Sequence, residues 1–234
     1  MRHLRLPTLA WAGLIWCLAG AHAEDNVKET VGGKSIDLAI PSGYCLPDFG
    51  NSGEAFFANF TTKLMNNSGN TVVKIMADCG ELRRRHANAS APIYDYAVYY
   101  YPTAVENTVV TGDRQAERQS LCEQMGQVRD ADLSDVPQNV AKSAEEMKTN
   151  VSVSGTKNLG VLAADAHGCY SGVLVNAKTG ESTTLISAVI VATVVHSKYL
   201  FLSVYSKYEN AKASAAALEL AKTTAATLDA KNPD

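Results

Sequence analysis

The sequence is short of several features that would assign a function directly. Few residues are aromatic (7%) or charged (19%), and the formal net charge is -3 at pH 7. A nucleic-acid-binding domain needs a dense cationic face, so this charge argues against one. The chain also lacks a C-x-x-C pair and a G-x-S-x-G turn. These absences disfavour a zinc site and an α/β-hydrolase nucleophile.

The first 23 residues have the pattern of a secretory signal peptide. Arg2 and Arg5 precede an apolar run over residues 9–20, and the small residues at 21 and 23 supply a cleavage site. This run has about a dozen residues, whereas a membrane-spanning helix needs about 20. We therefore predict cleavage after Ala23 and export to the periplasm or the medium. No membrane span is expected in residues 24–234.

Cleavage would remove Cys17 and leave four cysteines, Cys45, Cys79, Cys122 and Cys169. An even number of cysteines in an exported chain indicates two disulfides. Three pairings are possible, and the sequence does not choose among them. The wide spacing, with no nearby histidine pair, disfavours a metal site, and no cofactor is predicted.

Hydrophobic periodicity predicts an α+β fold in which a mostly antiparallel sheet is covered by helices. No linker or compositional break divides residues 24–234, which favours a single domain. The last four strands are joined by short turns, so they should pair as an antiparallel meander. The expected elements are, in order, a hairpin (27–40), a helix (53–65), two strands (71–77 and 93–101), two helices (113–127 and 134–149), four strands (159–164, 169–176, 183–195 and 199–207) and a long helix (209–231).

This element order resembles the α/β/α sandwich of Mog1/PsbP-like proteins. The fragments Gly43-Tyr44-Cys45 and Ala77-Asp78-Cys79-Gly80-Glu81-Leu82 also resemble segments of exported proteobacterial proteins without an assigned function. The resemblance covers nearly all of residues 24–234 and depends on the order of elements. It implies a binding or accessory scaffold in which no catalytic set is shared.

Two segments are candidate contact surfaces. Arg83, Arg84 and Arg85 form the densest basic run, and arginine presents forked donors to carboxylates and phosphates. The alternative is a solvated loop, since charge runs usually face water. The second segment is tyrosine-rich: Tyr94, Tyr96 and Tyr100 would share one strand face, with Tyr99 and Tyr101 on the other. Tyrosine is common at interfaces, but core packing explains the run equally well.

An envelope hydrolase is the alternative function. Its residues would be Ser154, which has the S-x-x-K spacing with Lys157, together with His167 and His196. Such a Ser/His or metal site would have to be assembled in space, because no G-x-S-x-G turn or metal-ligand spacing surrounds these residues. The preferred hypothesis is a non-enzymatic periplasmic binding or accessory protein. Its partner would be a protein or a small anionic ligand of the cell envelope.

Overall fold

A seven-stranded antiparallel sheet forms the centre of the computed structural model, which describes residues 27–233. The predicted signal peptide and its cleavage site lie outside these residues. The strands are β1 (Val27–Val31), β2 (Lys34–Leu38), β3 (Tyr44–Cys45), β4 (Asn70–Asp78), β5 (Tyr96–Pro102), β6 (Val151–Ala164), β7 (Cys169–Thr179), β8 (Ser182–Val195) and β9 (Lys198–Lys207). The helices are α1 (Ser52–Asn67), α2 (Cys79–Ala87), α3 (Arg114–Gly126), α4 (Val136–Glu146) and α5 (Ala211–Lys231), with short 3-10 turns at Thr103–Val105 and Asp130–Leu133.

The α+β class and the C-terminal meander are both confirmed. The sheet order is β3-β4-β5-β9-β8-β7-β6, and every neighbouring pair is antiparallel. Strands from before and after the middle helices therefore join one sheet, with β5 and β9 side by side at its centre. β1 and β2 form the predicted hairpin as a separate two-stranded sheet.

The two faces of the sheet carry different layers. The alternation of side chains along β5 sends Ala97, Tyr99 and Tyr101 into one apolar cluster with the hairpin and α5. Val98 and Tyr100 point into the opposite cluster, beneath α1. Helices α3 and α4 pack on that second face, against β7 and β8 and against β6, respectively. Both faces are therefore covered.

Two predicted strands differ from the structure, and one helix was not predicted. β6 begins at Val151 rather than at residue 159, and its pairing with β7 is interrupted by three register shifts, which break the regular alternation that identifies a strand. The strand predicted over 93–101 begins only at Tyr96, so Tyr94 precedes it. Residues 79–87 form α2, a helix that the sequence analysis did not predict.

The cysteines pair as Cys45–Cys79 and Cys122–Cys169, which is one of the three possibilities that the sequence allowed. The first disulfide joins β3 to the start of α2. The second joins α3 to the first residue of β7. Two disulfides are compatible with an oxidising environment outside the cytoplasm.

Candidate functional site

Helix α2 begins at a capped turn beside the Cys45–Cys79 disulfide. The Asp78 side chain accepts a hydrogen bond from the backbone N–H of Glu81 at 2.8 Å, which satisfies one of the free donors at the helix start. Cys79 is the first residue of the helix. The cap and the disulfide together fix the first turn of α2, and with it the direction of the Glu81 side chain.

Glu81 is a buried carboxylate that anchors the chain entering β5. Its Oε2 accepts the backbone N–H groups of Tyr94 at 2.7 Å and Asp95 at 2.9 Å, and its Oε1 lies 3.3 Å from Arg84. Burial raises the pKa of Glu81 and outweighs these two N–H bonds and the nearby Arg84, which lower it. The carboxylate therefore holds Tyr94 and Asp95 beside α2.

A groove of about 570 Å³ opens next to this anchor, between β9 and the first half of α5. Its volume lies in the range of small-molecule sites. Its lining combines aromatic, apolar and charged groups: Tyr44, Glu81, Arg84, Pro92, Tyr94, Asp95, Val204, Ser206, Lys207, Glu209, Ala213, Ala216, Ala217 and Leu220. These residues are called the groove below.

Asp95 is the most distinctive charged group of the groove. Burial raises its pKa, and the neighbouring carboxylates of Asp78 and Glu209 raise it further, against the lowering effect of the Lys207 backbone N–H and of Arg84. Burial and the same acidic surroundings raise the pKa of the Tyr44 phenol, through Asp95, Asp78 and Glu81. Neighbouring carboxylates therefore act on both the Asp95 carboxyl and the Tyr44 phenol.

The predicted arginine surface is divided by the structure. Arg84 lines the groove, and Arg83 is exposed on α2. Arg85 points instead toward α1, where it donates to the Gly53 carbonyl oxygen at 3.1 Å, and it also donates to the carbonyl oxygen of Ala91, beyond the end of α2, at 2.6 Å. Its guanidinium also lies over the Phe56 ring, and burial lowers its pKa. The three arginines do not form one anion-binding surface.

The tyrosines of the second predicted surface are also separated. Tyr94 lines the groove because Glu81 holds its backbone ahead of the strand. Tyr96 and Tyr100 lie under α1 instead. The Tyr96 ring stacks on Tyr205 with centroids 4.3 Å apart, and Tyr100 stacks on Phe201 at 5.6 Å. Burial raises the pKa of both hydroxyls. These two rings pack in the interior, as the alternative interpretation expected.

A second polar cluster lies at the end of the sheet where α5 finishes. Arg118 of α3 is almost fully buried and donates to Asp229 of α5 at 2.6 Å, to Thr193 Oγ1 at 3.1 Å and to the Val194 carbonyl at 3.2 Å. Arg118 also contacts the Ala166 carbonyl oxygen. Because α3 and α5 cover opposite faces, this cluster joins the two helical layers around the ends of the strands.

The histidine of this cluster is His167, whose Nδ1 lies 3.0 Å from Asp229 Oδ2. His196 lies in the β8–β9 turn at the same end of the sheet, with Nδ1 2.9 Å from the Ser35 carbonyl oxygen. Ser154 is exposed on β6 and donates to the Asn176 carbonyl oxygen. About ten strand residues separate it from the β6–β7 turn, or roughly 30 Å at about 3.3 Å per residue. The three residues proposed for a hydrolase are therefore not brought together.

The chain matches no protein-family model, no curated protein and no solved structure. Within residues 27–233, no group of three or more His, Cys, Asp or Glu side chains is placed to hold a metal ion. No helix in that same part of the chain is both long enough and apolar enough to cross a membrane.

Several groove residues escaped the sequence analysis, chiefly Glu81 and Asp95. One signal was available: Asp78 followed by Glu81 three residues later is the pattern of a helix start. That pattern predicts α2 and places an acidic residue in its first turn. The contact of α5 with this region has no comparable signal, because it depends on the tertiary fold.

Proposed function

We propose that the chain is an exported, non-enzymatic binding protein of the cell envelope, and that the groove is its binding site. The observation that carries the proposal is a groove of about 570 Å³ with two aromatic residues, an apolar helix wall, the buried Glu81 and the half-buried Asp95. Such a combination of shape and polarity is typical of small-molecule sites. The Cys45–Cys79 disulfide and the Glu81 anchor hold one wall of the groove in place before any ligand arrives.

Two further observations support a non-enzymatic role. Ser154 lies on a different part of the sheet from His167, so the hydrolase alternative would need other residues. The Asp229 carboxylate that contacts His167 also accepts a hydrogen bond from Arg118, so this carboxylate stabilises the fold. The element order that resembles Mog1/PsbP-like proteins adds support, because that resemblance implies a scaffold with no shared catalytic set.

An anionic ligand on the arginine run finds less support. Arg85 is engaged with backbone carbonyls, and Arg84 is paired with Glu81. Of these three arginines, only Arg83 is both exposed and without an ion pair to another side chain of residues 27–233. The groove is therefore the better candidate contact site.

The proposal is tested by mass spectrometry of the protein purified from the cells that make it naturally. Two variants on adjacent positions of α5 provide a matched comparison. Ala216 lines the groove and Ala215 does not, while both are exposed. Ala216→Trp places an indole at the groove, whereas Ala215→Trp places the same side chain outside it.

Under denaturing conditions, we expect the mass of residues 24–234 less four hydrogens, for cleavage after Ala23 and two disulfides. Under native conditions, we expect an additional bound mass on the wild type and on Ala215→Trp, and none on Ala216→Trp. An additional mass that survives in Ala216→Trp would place the ligand elsewhere. A wild-type protein that is bare under native conditions would overturn stable binding in the groove.

A further inference from the structure

The charged groups that line the groove are paired except for one. Arg84 lies 3.3 Å from Glu81, and Lys207 lies 3.4 Å from Glu209. Asp95 accepts a hydrogen bond from the backbone N–H of Lys207 but forms no ion pair within residues 27–233. The groove therefore has one carboxylate that forms no ion pair with any side chain of residues 27–233.

The surroundings of Asp95 add to this negative charge. Asp78 caps α2 through its carboxylate and lies close enough to Asp95 to raise the pKa of that residue, as does Glu209. Arg84 acts in the opposite direction, but it is already shared with Glu81. A positively charged group that entered the groove would relieve this repulsion, whereas an anion would increase it.

The rest of the lining fits an apolar body attached to such a cation. Ala213, Ala216 and Ala217 present only methyl groups along one wall of the groove, and Val204 and Leu220 extend the apolar surface. The Tyr44 and Tyr94 rings lie in the same lining as Asp95. Aromatic faces attract organic cations through the charge distribution of the ring.

One polar group of the wall is also left without a partner. Ser206 lines the groove, and its hydroxyl oxygen is buried with no hydrogen-bond partner among the described residues. Buried hydroxyls almost always have one. This observation is independent of the acidic groups and marks an enclosed, unsatisfied hydroxyl in the groove wall.

We propose that the groove binds a small organic cation, a primary amine on a short apolar body, with its ammonium group on Asp95 and its apolar part against α5. This inference rests on the proposed function, because it names the ligand class of the same groove. The ammonium would donate hydrogen bonds to the Asp95 carboxylate.

The test uses three probes that share one tail and differ in charge: n-hexylamine, n-hexanol and n-hexanoate. Each is titrated into the full-length protein with both disulfides intact, at pH 7 and low ionic strength, by isothermal titration calorimetry. We expect n-hexylamine to bind most tightly, n-hexanol more weakly, and n-hexanoate least. Ala216→Trp should weaken both n-hexylamine and n-hexanol, while Ala215→Trp should weaken neither.

Asp95→Asn separates the charge from the shape of the site. We expect it to weaken n-hexylamine by about tenfold to a hundredfold, because the ammonium then donates to a neutral amide oxygen instead of a carboxylate, and to leave n-hexanol unchanged. Glu181→Gln, which removes an exposed carboxylate away from the groove, should change neither. Asp95→Asn should unfold at the same or a higher temperature than the wild type at pH 7, since burial disfavours the charged form of Asp95.

Equal affinities for the three probes, or an Asp95→Asn variant that binds n-hexylamine as the wild type does, would overturn the cation assignment. The proposed function would survive that result if Ala216→Trp still lost the mass bound in cells. If the native protein were bare and no probe bound, both proposals would fail.

Discussion

The cluster around Asp229 allows a quantitative prediction about the stability of the fold. Asp229 lies near the end of α5, where Arg114 and Arg118 each contact its Oδ1 at 2.6 Å and His167 lies 3.0 Å from its Oδ2. Asp229→Asn keeps the size of the side chain and one acceptor oxygen. It removes the negative charge from between two guanidinium groups.

The magnitude follows from the burial of the pair. Removing one partner of a buried ion pair costs about 3–5 kcal/mol. The Arg118 side chain is only 7% exposed but Asp229 is 21% exposed, and Arg118 keeps its bonds to Thr193 and Val194. We therefore expect Asp229→Asn to lower the free energy of unfolding by about 2–3 kcal/mol at pH 7.

The difference should depend on pH in a defined direction. Burial would raise the pKa of Asp229, but the hydrogen bonds from Arg118 and His167 and the charges of Arg118 and Arg114 outweigh it and lower the pKa. A carboxyl whose pKa is lowered by folding stabilises the protein above its unfolded pKa, which is about 3.9. This contribution is lost as the pH falls from about 4 toward the lowered value, so wild type and variant should converge in acid.

The assay is urea unfolding followed by circular dichroism at pH 7 and at a series of lower pH values, with the exposed Asp135→Asn as the control. The control should unfold with the wild type at every pH, since Asp135 caps α4 without a side-chain capping hydrogen bond and asparagine is an equally good N-cap. A loss below about 0.5 kcal/mol for Asp229→Asn at pH 7 would refute the argument that this cluster joins the two helical layers.

Three further predictions concern the disulfides, one buried tyrosine and the groove. Replacing the cysteines of either disulfide by serines should lower the free energy of unfolding by about 3–4 kcal/mol, because the disulfides close loops of 34 and 47 residues. Only the loss of Cys45–Cys79 should also weaken the binding of n-hexylamine, because only that disulfide borders the groove. Equal effects of the two replacements on binding would contradict this prediction. Tyr99→Phe should lower the free energy of unfolding, measured in urea, by about 1–2 kcal/mol, because the fully buried Tyr99 hydroxyl donates to the Ala39 carbonyl oxygen at 2.9 Å. An unchanged midpoint of urea unfolding would show that this hydrogen bond does not help to hold the hairpin. Calorimetry should show that acidification weakens n-hexylamine binding already at pH values above the ordinary aspartate pKa of about 3.9, because the pKa of Asp95 is raised and its carboxylate is protonated there. An affinity that does not change until the pH reaches about 3.9 would count against Asp95 as the binding group.

Much of the fold could be predicted because its elements carry regular local patterns. The apolar, β-branched run of β8, the partial alternation along β9 and the helical stripe of α5 each identify an element without reference to the rest of the chain. The short turns between the last four strands also predicted their pairing. Where the pattern is irregular, as in the shifted register of β6, the prediction fell short by eight residues.

The candidate site could be predicted only in part, for a different reason. Arg84 and Tyr94 were singled out, yet they were assigned to two separate surfaces, and only the arginine surface was linked to an anionic ligand. The Glu81 carboxylate brings them together by binding the backbone that precedes β5. That contact, like the packing of α5 beside Asp95, joins residues that are distant in sequence and has no local pattern.

The central claim is that the groove between β9 and α5 is the binding site. A crystal structure of the wild-type protein, purified from the cells that make it, tests this claim most directly. The account predicts electron density for a ligand in the groove, with a cationic group within hydrogen-bonding distance of the Asp95 carboxylate. Ligand density at any other place on the protein, with only water in the groove, would contradict it.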